Sequence, residues 1–459
     1  MNKNFLMIMS SCMLFFASST YGQTKRQSSF IPIFDGKTFN GWKILGGKAK
    51  YTIEDGVIVG EMVKGVPNSF LSTEKEYEDF ILELEFRIEG TETNSGIQFR
   101  SNYDPQGNNG QGLVFGKQMD IDPSERAWTG GVYDEGRRNW LYPLDLQESA
   151  QKAFKANQFN KVRIEAIGDE VRIWLNDIPT ATVIDTLDRK GIIALQVHSV
   201  PDRLVGQKVY FKNIRIKTAG LSFTKLPQDM FVVNLKKNNV SSQEKKSGIN
   251  LLFNGIDSKG WRSIDANHFP KKGWEIKDGE ITVLKANGGE STNGRDIITD
   301  KQYSAFDLSF EFKLTPGANS GVKYFVTMQE ETKGSAIGLE YQLLDDEKHP
   351  DAKMGKNGNR TMASLYDLIP SLKHVRAPRP IGEWNRGRIM VTPDNQVTHY
   401  LNGIKVLTYR RGSPEFKELV AGSKYKDWPN FGEAEKGHIL LQDHGDEVHF
   451  RNIKIKELK

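Results

Sequence analysis

Apolar residues along this chain recur mostly at every second position. Phe80-Ile81-Leu82-Glu83-Leu84-Glu85-Phe86-Arg87-Ile88 alternates, as does Val162-Arg163-Ile164-Glu165-Ala166. Val171 to Leu175 follows after Gly168-Asp169, a hairpin signal. The pattern returns in Phe306–Leu314, Arg388–Thr392 and Val397–Leu401, with a turn at Pro393-Asp394-Asn395. Helical periods are short; Asp145–Ala156 is one. Many short strands separated by turn residues predict an all-β fold of antiparallel β-sandwich, or jelly-roll, domains.

The same landmarks occur twice. Asn94-Ser95-Gly96-Ile97 answers Asn319-Ser320-Gly321-Val322, and Gly41-Trp42 answers Gly260-Trp261. Gln118 pairs by sequence with Gln342, Tyr133-Asp134 with Tyr366-Asp367, and Gln196-x-His198 with Gln442-x-His444. The offset grows from 219 residues at Gly41 to 239 at Asn213 and Asn452, so the second copy carries about twenty extra residues. A period this long is a domain duplication, not a solenoid repeat. The expected organisation is a signal peptide over 1–22, copy one over 30–217, a polar linker over 218–247 and copy two over 248–459.

The formal charge is only +5, with Lys and Arg spread among Asp and Glu, which argues against a nucleic-acid partner. Lys3, the apolar run Phe5–Ala17 and Thr20-Tyr21-Gly22 read as an export signal. The expected location is the periplasm or cell envelope, with no transmembrane segment after cleavage. The single cysteine, Cys12, lies inside the signal; acylation there is the lipoprotein alternative. Removal of residues 1–22 leaves no cysteine for disulfides or thiol catalysis. No Gly-rich phosphate loop or nucleophile elbow is visible, so no nucleotide or organic cofactor is expected.

Four segments hold candidate chemistry. Asn-Ser-Gly reads either as a strand-entry turn or bulge or as a site contact. The strand after it places Gln98 and Arg100 on one face in copy one, and Lys323 and Phe325 in copy two. An Arg there could clamp a carbonyl oxygen or serve a structural ion pair. Gln118, Asp120 and Asp122 alternate with apolar residues and share a strand face; copy two offers Glu340, Gln342, Asp345 and Asp346. Such carboxylates also suit a divalent metal. Tyr133 and Tyr366 could protonate a leaving oxygen or be core residues. His198 and His444 close apolar strands, each two residues after Gln196 or Gln442. An imidazole can accept and return a proton near neutral pH.

Together these segments resemble the 3-keto-disaccharide hydrolase domain family. Copy two is similar to one subgroup through Leu339–Ala352 and Gly437–Gly445, and copy one to another through Gln118–Pro123 and Thr129–Glu135. Copy one departs from the commoner Gln-Asp-His-Gly with Gln196-Val197-His198-Ser199, and copy two lacks the Arg that follows Asn-Ser-Gly. The resemblance implies a concanavalin-like jelly roll and cleavage of glycosides oxidised to a ketone at C3, by elimination or net hydrolysis. It also implies a sugar 3-dehydrogenase or oxidase upstream, and a divalent metal. Roles then follow as expectations. His198 or His444 is the base at C2, and Arg100 or a metal is the electrophile at O3. Tyr133, Glu135 or Tyr366 is the acid at the glycosidic oxygen. Gln98, Gln118, Asp120, Gln196, Lys323, Glu340, Gln342 and Gln442 would bind sugar, and Asp122, Asp346 and Asp443 would hold the metal.

A non-catalytic sugar-binding module is the alternative reading. A conventional retaining glycosidase built on Asp120, Asp122 and Glu125 is a third, since such enzymes need two carboxyls about 5–5.5 Å apart.

Overall fold

The computed structural model describes residues 29–65, 67–286, 293–328, 336–374 and 376–459. The signal-peptide reading and Cys12 lie outside these residues.

Each copy is a sandwich of two mostly antiparallel sheets. In copy one, a nine-stranded sheet centres on Phe80–Ile88, flanked by Asn160–Ile167 and Lys208–Lys217. A seven-stranded sheet packs against it. Its order is Asn139–Tyr142, Val132–Glu135, Leu113–Ile121, Ser95–Asp104, Ile192–Val197, Ser69–Thr73, Trp42–Gly46. Copy two repeats the plan with an eight-stranded sheet around Phe306–Leu314 and a five-stranded sheet around Asn319–Met328. Among the described residues, no helix is long and apolar enough to cross a membrane.

The alternating pattern explains the layers. Phe80, Leu82, Leu84 and Phe86 are buried against Ile97, Phe99, Met119, Ile121 and Leu195 from the facing sheet. Burying a side chain of this size contributes about 1.5–3 kcal/mol. The two Gly-Trp landmarks are core features. Trp42 Nε1 donates to the Ile33 carbonyl and Trp261 Nε1 to the Leu252 carbonyl, both at 2.7 Å. Asp145–Ala156 forms two short 3₁₀ turns, Leu144–Leu146 and Glu148–Ala153.

The connector 218–247 joins the copies but is packed throughout much of its length. Val233–Asn234 adds a short parallel strand to copy one beside Val183 and Ile184. The helix Ser242–Lys246 starts with a Ser241/Glu244 capping box. Glu244 is buried against Lys454 of copy two (2.8 Å), and Asn452 N–H donates to Asn238 Oδ1 (2.9 Å). Its polar composition reflects these fixed bonds as well as solvent. The copies also touch directly. Arg386 Nη2 donates to the Leu141 carbonyl (2.8 Å), and the Lys405 N–H to Asp145 Oδ2 (3.0 Å).

Candidate active site

In the seven-stranded sheet, Ile97, Met119, Val132 and Leu195 face the core. Their neighbours Gln98, Gln118, Tyr133 and Gln196 therefore share the opposite face. Register brings them together: Gln98 lies opposite Gln118, Gln118 opposite Tyr133, and Gln196 opposite Gly96. Gln98 Nε2 donates to Gln118 Oε1 (3.0 Å), and Gln118 Nε2 donates to Asp120 Oδ1 (3.1 Å). Asn94 Nδ2 donates to Asp120 Oδ2 (3.2 Å). Burial, with Asp122 nearby, pushes the Asp120 carboxyl up to about 7.

Gly96 makes this row possible. A Cβ there would sit 2.1 Å from Gln118 Cδ, and one at Gly321 would sit 2.3 Å from Glu340 Oε1. Neither glycine has positive φ. The turn reading of Asn-Ser-Gly thus gives way to close approach of the neighbouring strand's side chain. Ser95 and Ser320 each donate across the sheet, to the Gln196 (2.7 Å) and Gln442 (2.8 Å) carbonyls.

The row ends in titratable groups. Tyr133 Oη donates to Asn139 Oδ1 (2.9 Å) and accepts from Arg376 Nη1 of copy two (3.1 Å). Glu135 accepts from Asn68 Nδ2 (3.2 Å), and burial raises its pKa. His198 Nδ1 lies 2.6 Å from the Ser199 carbonyl. A carbonyl only accepts, so Nδ1 carries the proton and Nε2 is the basic nitrogen. Burial, and then the Arg376 charge, lower the His198 pKa. Asn68 Oδ1 accepts from Ser199 N–H (3.0 Å), which ties the histidine turn to Glu135.

Arg100 is not in this group. The strand bulges between Gln98 and Asn102, with Arg100 in the left-handed region (φ 50°). The extra residue breaks the two-residue period, so Arg100 does not share the Gln98 face. Its buried guanidinium donates to the Glu78 carbonyl (2.6 Å), the Gly168 carbonyl (2.8 Å) and Asp79 Oδ1 (2.8 Å). Phe325 holds the corresponding bulge in copy two (φ 55°), under the Arg411 guanidinium.

Copy two rearranges the row. Gly321 lies opposite Gln342 and Lys323 opposite Glu340, whereas Gly96 lies opposite Asp120 and Gln98 opposite Gln118. The structural partner of Gln118 is therefore Glu340, not Gln342, and Gln342 stands at the Asp120 position. Oriented by its neighbours, the Gln342 amide donates to Glu340 Oε1 (3.1 Å) and the Ser320 carbonyl (3.0 Å). Asn319 lies between Gln342 (3.2 Å) and His444 Nε2 (3.4 Å). Lys323 Nζ is 3.9 Å from Glu340. Tyr366 donates to Asp351 Oδ2 (2.8 Å); burial and that carboxylate hold its pKa far above the usual tyrosine value. Gln442 is buried on this face beside the His444 turn.

The three positions expected to hold a metal form no donor set. Asp122 pairs with Arg126 (2.9 Å) and caps Ser124 N–H (3.1 Å). Asp346 accepts from Met362 N–H (2.7 Å) and pairs with Lys373 (2.9 Å). Asp443 accepts from the N–H groups of Gly294 (2.9 Å) and Gly445 (3.0 Å). Among the described residues, no three His, Cys, Asp or Glu side chains gather as metal ligands. Asp122 lies one residue past the end of the strand Leu113–Ile121, and Glu125 is exposed. The Asp122 charge still acts on Asp120, so these two carboxyls stay near one another, with Asp122 held by Arg126.

A cleft of about 740 Å³ opens on the other sheet of copy one, lined by Glu83, Glu85, Lys161, Arg163 and Arg215. Arg163 and Arg215 are both paired with Glu83 (2.5 and 2.6 Å). The chemistry is better matched to the Gln98–Gln118–Tyr133 face, where Asp120, Glu135 and His198 have perturbed protonation.

Sequence reasoning missed Arg376, Asn68 and Asn139. The two asparagines stand in no duplicated motif, and Arg376 lies in the other copy by sequence.

Known proteins resemble parts of this chain. A 3-keto-disaccharide hydrolase of Bacteroides thetaiotaomicron is 37% identical over 232 residues, 46% of this chain and 79% of that protein. A solved protein of Parabacteroides distasonis ATCC 8503, provisionally described as a glycosyl hydrolase, is 31% identical, with a TM-score of 0.43. It covers 49% of this chain and is itself covered completely. A second such protein from that organism is 27% identical, with a TM-score of 0.35, 46% of this chain and 99% of that protein covered. The family model of the 3-keto-alpha-glucoside-1,2-lyase-like domain matches residues 29–217 and again 248–456, and the chain belongs to that family through two copies of its domain.

Proposed function

We propose that this carbohydrate hydrolase cleaves glycosides already oxidised to a ketone at C3, and that copy one is the reacting centre. The observation that carries this is the convergence on one sheet face of His198, with Nε2 as its basic nitrogen, of Glu135, whose pKa burial raises, and of the buried Asp120.

A C3 ketone acidifies the C2 hydrogen and makes the C1 oxygen a β leaving group. His198 Nε2 takes the C2 proton, and the electron pair moves into a C2=C3 enolate. The enolate then collapses: C1=C2 forms, the bond from C1 to the aglycone oxygen breaks, and Glu135 protonates that oxygen. Addition of water across C1=C2 makes the net reaction a hydrolysis. Gln98, Gln118 and Gln196 offer amides to the sugar hydroxyls. Among the described residues no donor set gathers for the divalent metal that the family implies. The export signal read over 1–22 extends the proposal to the cell envelope, where a separate sugar 3-dehydrogenase or oxidase would supply the substrate.

The test is turnover of a 3-keto-glucoside by the full chain, with and without chelator, compared between His198→Ala and His444→Ala. Loss in the first and retention in the second is expected. Equal turnover by His198→Ala and the parent chain would remove the base assignment. Binding of 3-keto-glucosides without breakdown under any metal condition would instead make the protein a sugar-binding module.

A further inference from the structure

Arg376 belongs to copy two by sequence and to copy one by position. It follows His374 in the segment before the strand Asn385–Val391. Its Nη1 donates to Tyr133 Oη (3.1 Å), and its charge acts on Tyr133, Glu135 and His198. His374 lies beside the same site, 3.5 Å from Arg126 and edge-on to Trp128 (6.5 Å between rings). Other contacts lie at the same junction. Arg386 bonds the Leu141 carbonyl, and Lys405 pairs with Glu148 (2.6 Å). The Gly403 backbone packs so closely on Pro143 and Leu146 that an added Cβ would meet them at 2.8 and 3.0 Å.

We propose that copy one's site is composite, and that Arg376, carried by copy two, supplies the cation that receives the C3 oxygen of the bound sugar. The inference rests on the reaction assigned above and extends it to the group that stabilises the enolate. Three observations support it. Arg100, the arginine that the sequence offers for this work, is buried and committed to Glu78, Asp79 and Gly168. Arg376 is exposed at the end of the Gln98–Gln118–Tyr133 row, and a guanidinium has five N–H donors, of which Tyr133 takes one. At the matching tyrosine copy two carries a cation of its own, Lys424, over the Tyr366 ring (4.2 Å).

In the reaction, the C2–H electron pair shifts toward O3 as His198 takes the proton. The developing O3 charge faces Arg376, and the charge leaves again when C1–O breaks. A donor that matters mainly in the transition state lowers kcat more than it raises KM when it is lost.

The experiment uses the full chain. Arg376→Gln should lower kcat on a 3-keto-glucoside by about 10²–10³-fold, with a smaller change in KM. Arg376→Lys should recover part of the loss, and added guanidinium should partly rescue Arg376→Ala. Lys405→Ala, which removes an exposed pair at the same junction, should stay within about twofold of the parent. Independently of substrate, the His198 ring titration followed by NMR should move to higher pH in Arg376→Gln, because a nearby positive charge has gone. A His198 titration that does not move would overturn the composite site. So would loss of kcat with neither lysine recovery nor guanidinium rescue. A shifted titration in a chain that leaves 3-keto-glucosides untouched would support the composite site and sink the reaction instead.

Discussion

Asp120 and Gln342 occupy the same register position in two copies of one sheet, each opposite the glycine of Asn-Ser-Gly. Two residues back along the same face, Gln118 and Glu340 are also equivalent. Amide and acid have changed places, and the amide-to-carboxylate bond survives at 3.1 Å in both copies. The local bond is therefore a shared structural element, while the location of the ionisable group distinguishes the copies.

Asp120 gives a stability signature. The native state keeps a proton on it up to about pH 7, whereas an unfolded chain releases that proton near pH 4. Between those values the native state binds more protons, so this group makes stability fall as pH rises from about 4 to 7. Asp120→Asn should flatten that slope, whatever its effect on absolute stability. Thermal midpoints measured from pH 4.5 to 8 check this, and a slope identical to the parent's would refute it.

The reaction should depend on pH through His198. Burial and Arg376 lower its pKa below the ordinary 6.5, so the base form predominates at neutral pH. The acid limb of kcat/KM should fall below that value. It should vanish with the residual activity of His198→Ala. A limb centred above 7 would be inconsistent with His198 as the base.

Gly96→Ala should damage the site more than the fold. The new Cβ would overlap Gln118, which must leave its bonds to Gln98 and Asp120. We expect KM to rise and kcat to fall, with destabilisation of about 1–3 kcal/mol from the overpacking. Gly321→Ala, which displaces Glu340 in copy two, should leave turnover at copy one intact. Kinetics and thermal unfolding of the two variants separate these outcomes.

Arg100→Ala should do the reverse. Removing the buried guanidinium takes the donor from the Glu78 and Gly168 carbonyls and one partner from Asp79, which keeps the Gly168 N–H, at a cost of about 2–4 kcal/mol. The melting temperature should fall clearly, while kcat of the folded enzyme changes little. A large kcat loss at unchanged stability would return Arg100 to the reaction.

Much of this protein was readable from one dimension. Alternation in Phe80–Ile88 and Phe306–Leu314 is a direct imprint of the pleat, because successive strand residues must face core and solvent in turn. The paired motifs established two copies, and the family resemblance followed from them. Gln98, Gln118, Asp120, Gln196 and His198 were all legible as candidates because they interrupt apolar strands at fixed spacing. Other decisions belonged to the folded chain. A single left-handed residue turned Arg100 away, since one inserted residue reverses every side chain beyond it. Strand register, which depends on which backbone groups meet, put Glu340 rather than Gln342 opposite Lys323. Arg376 reached Tyr133 across 243 residues of sequence. Local pattern holds no information about such a meeting, because it is produced by the packing of two whole domains on each other.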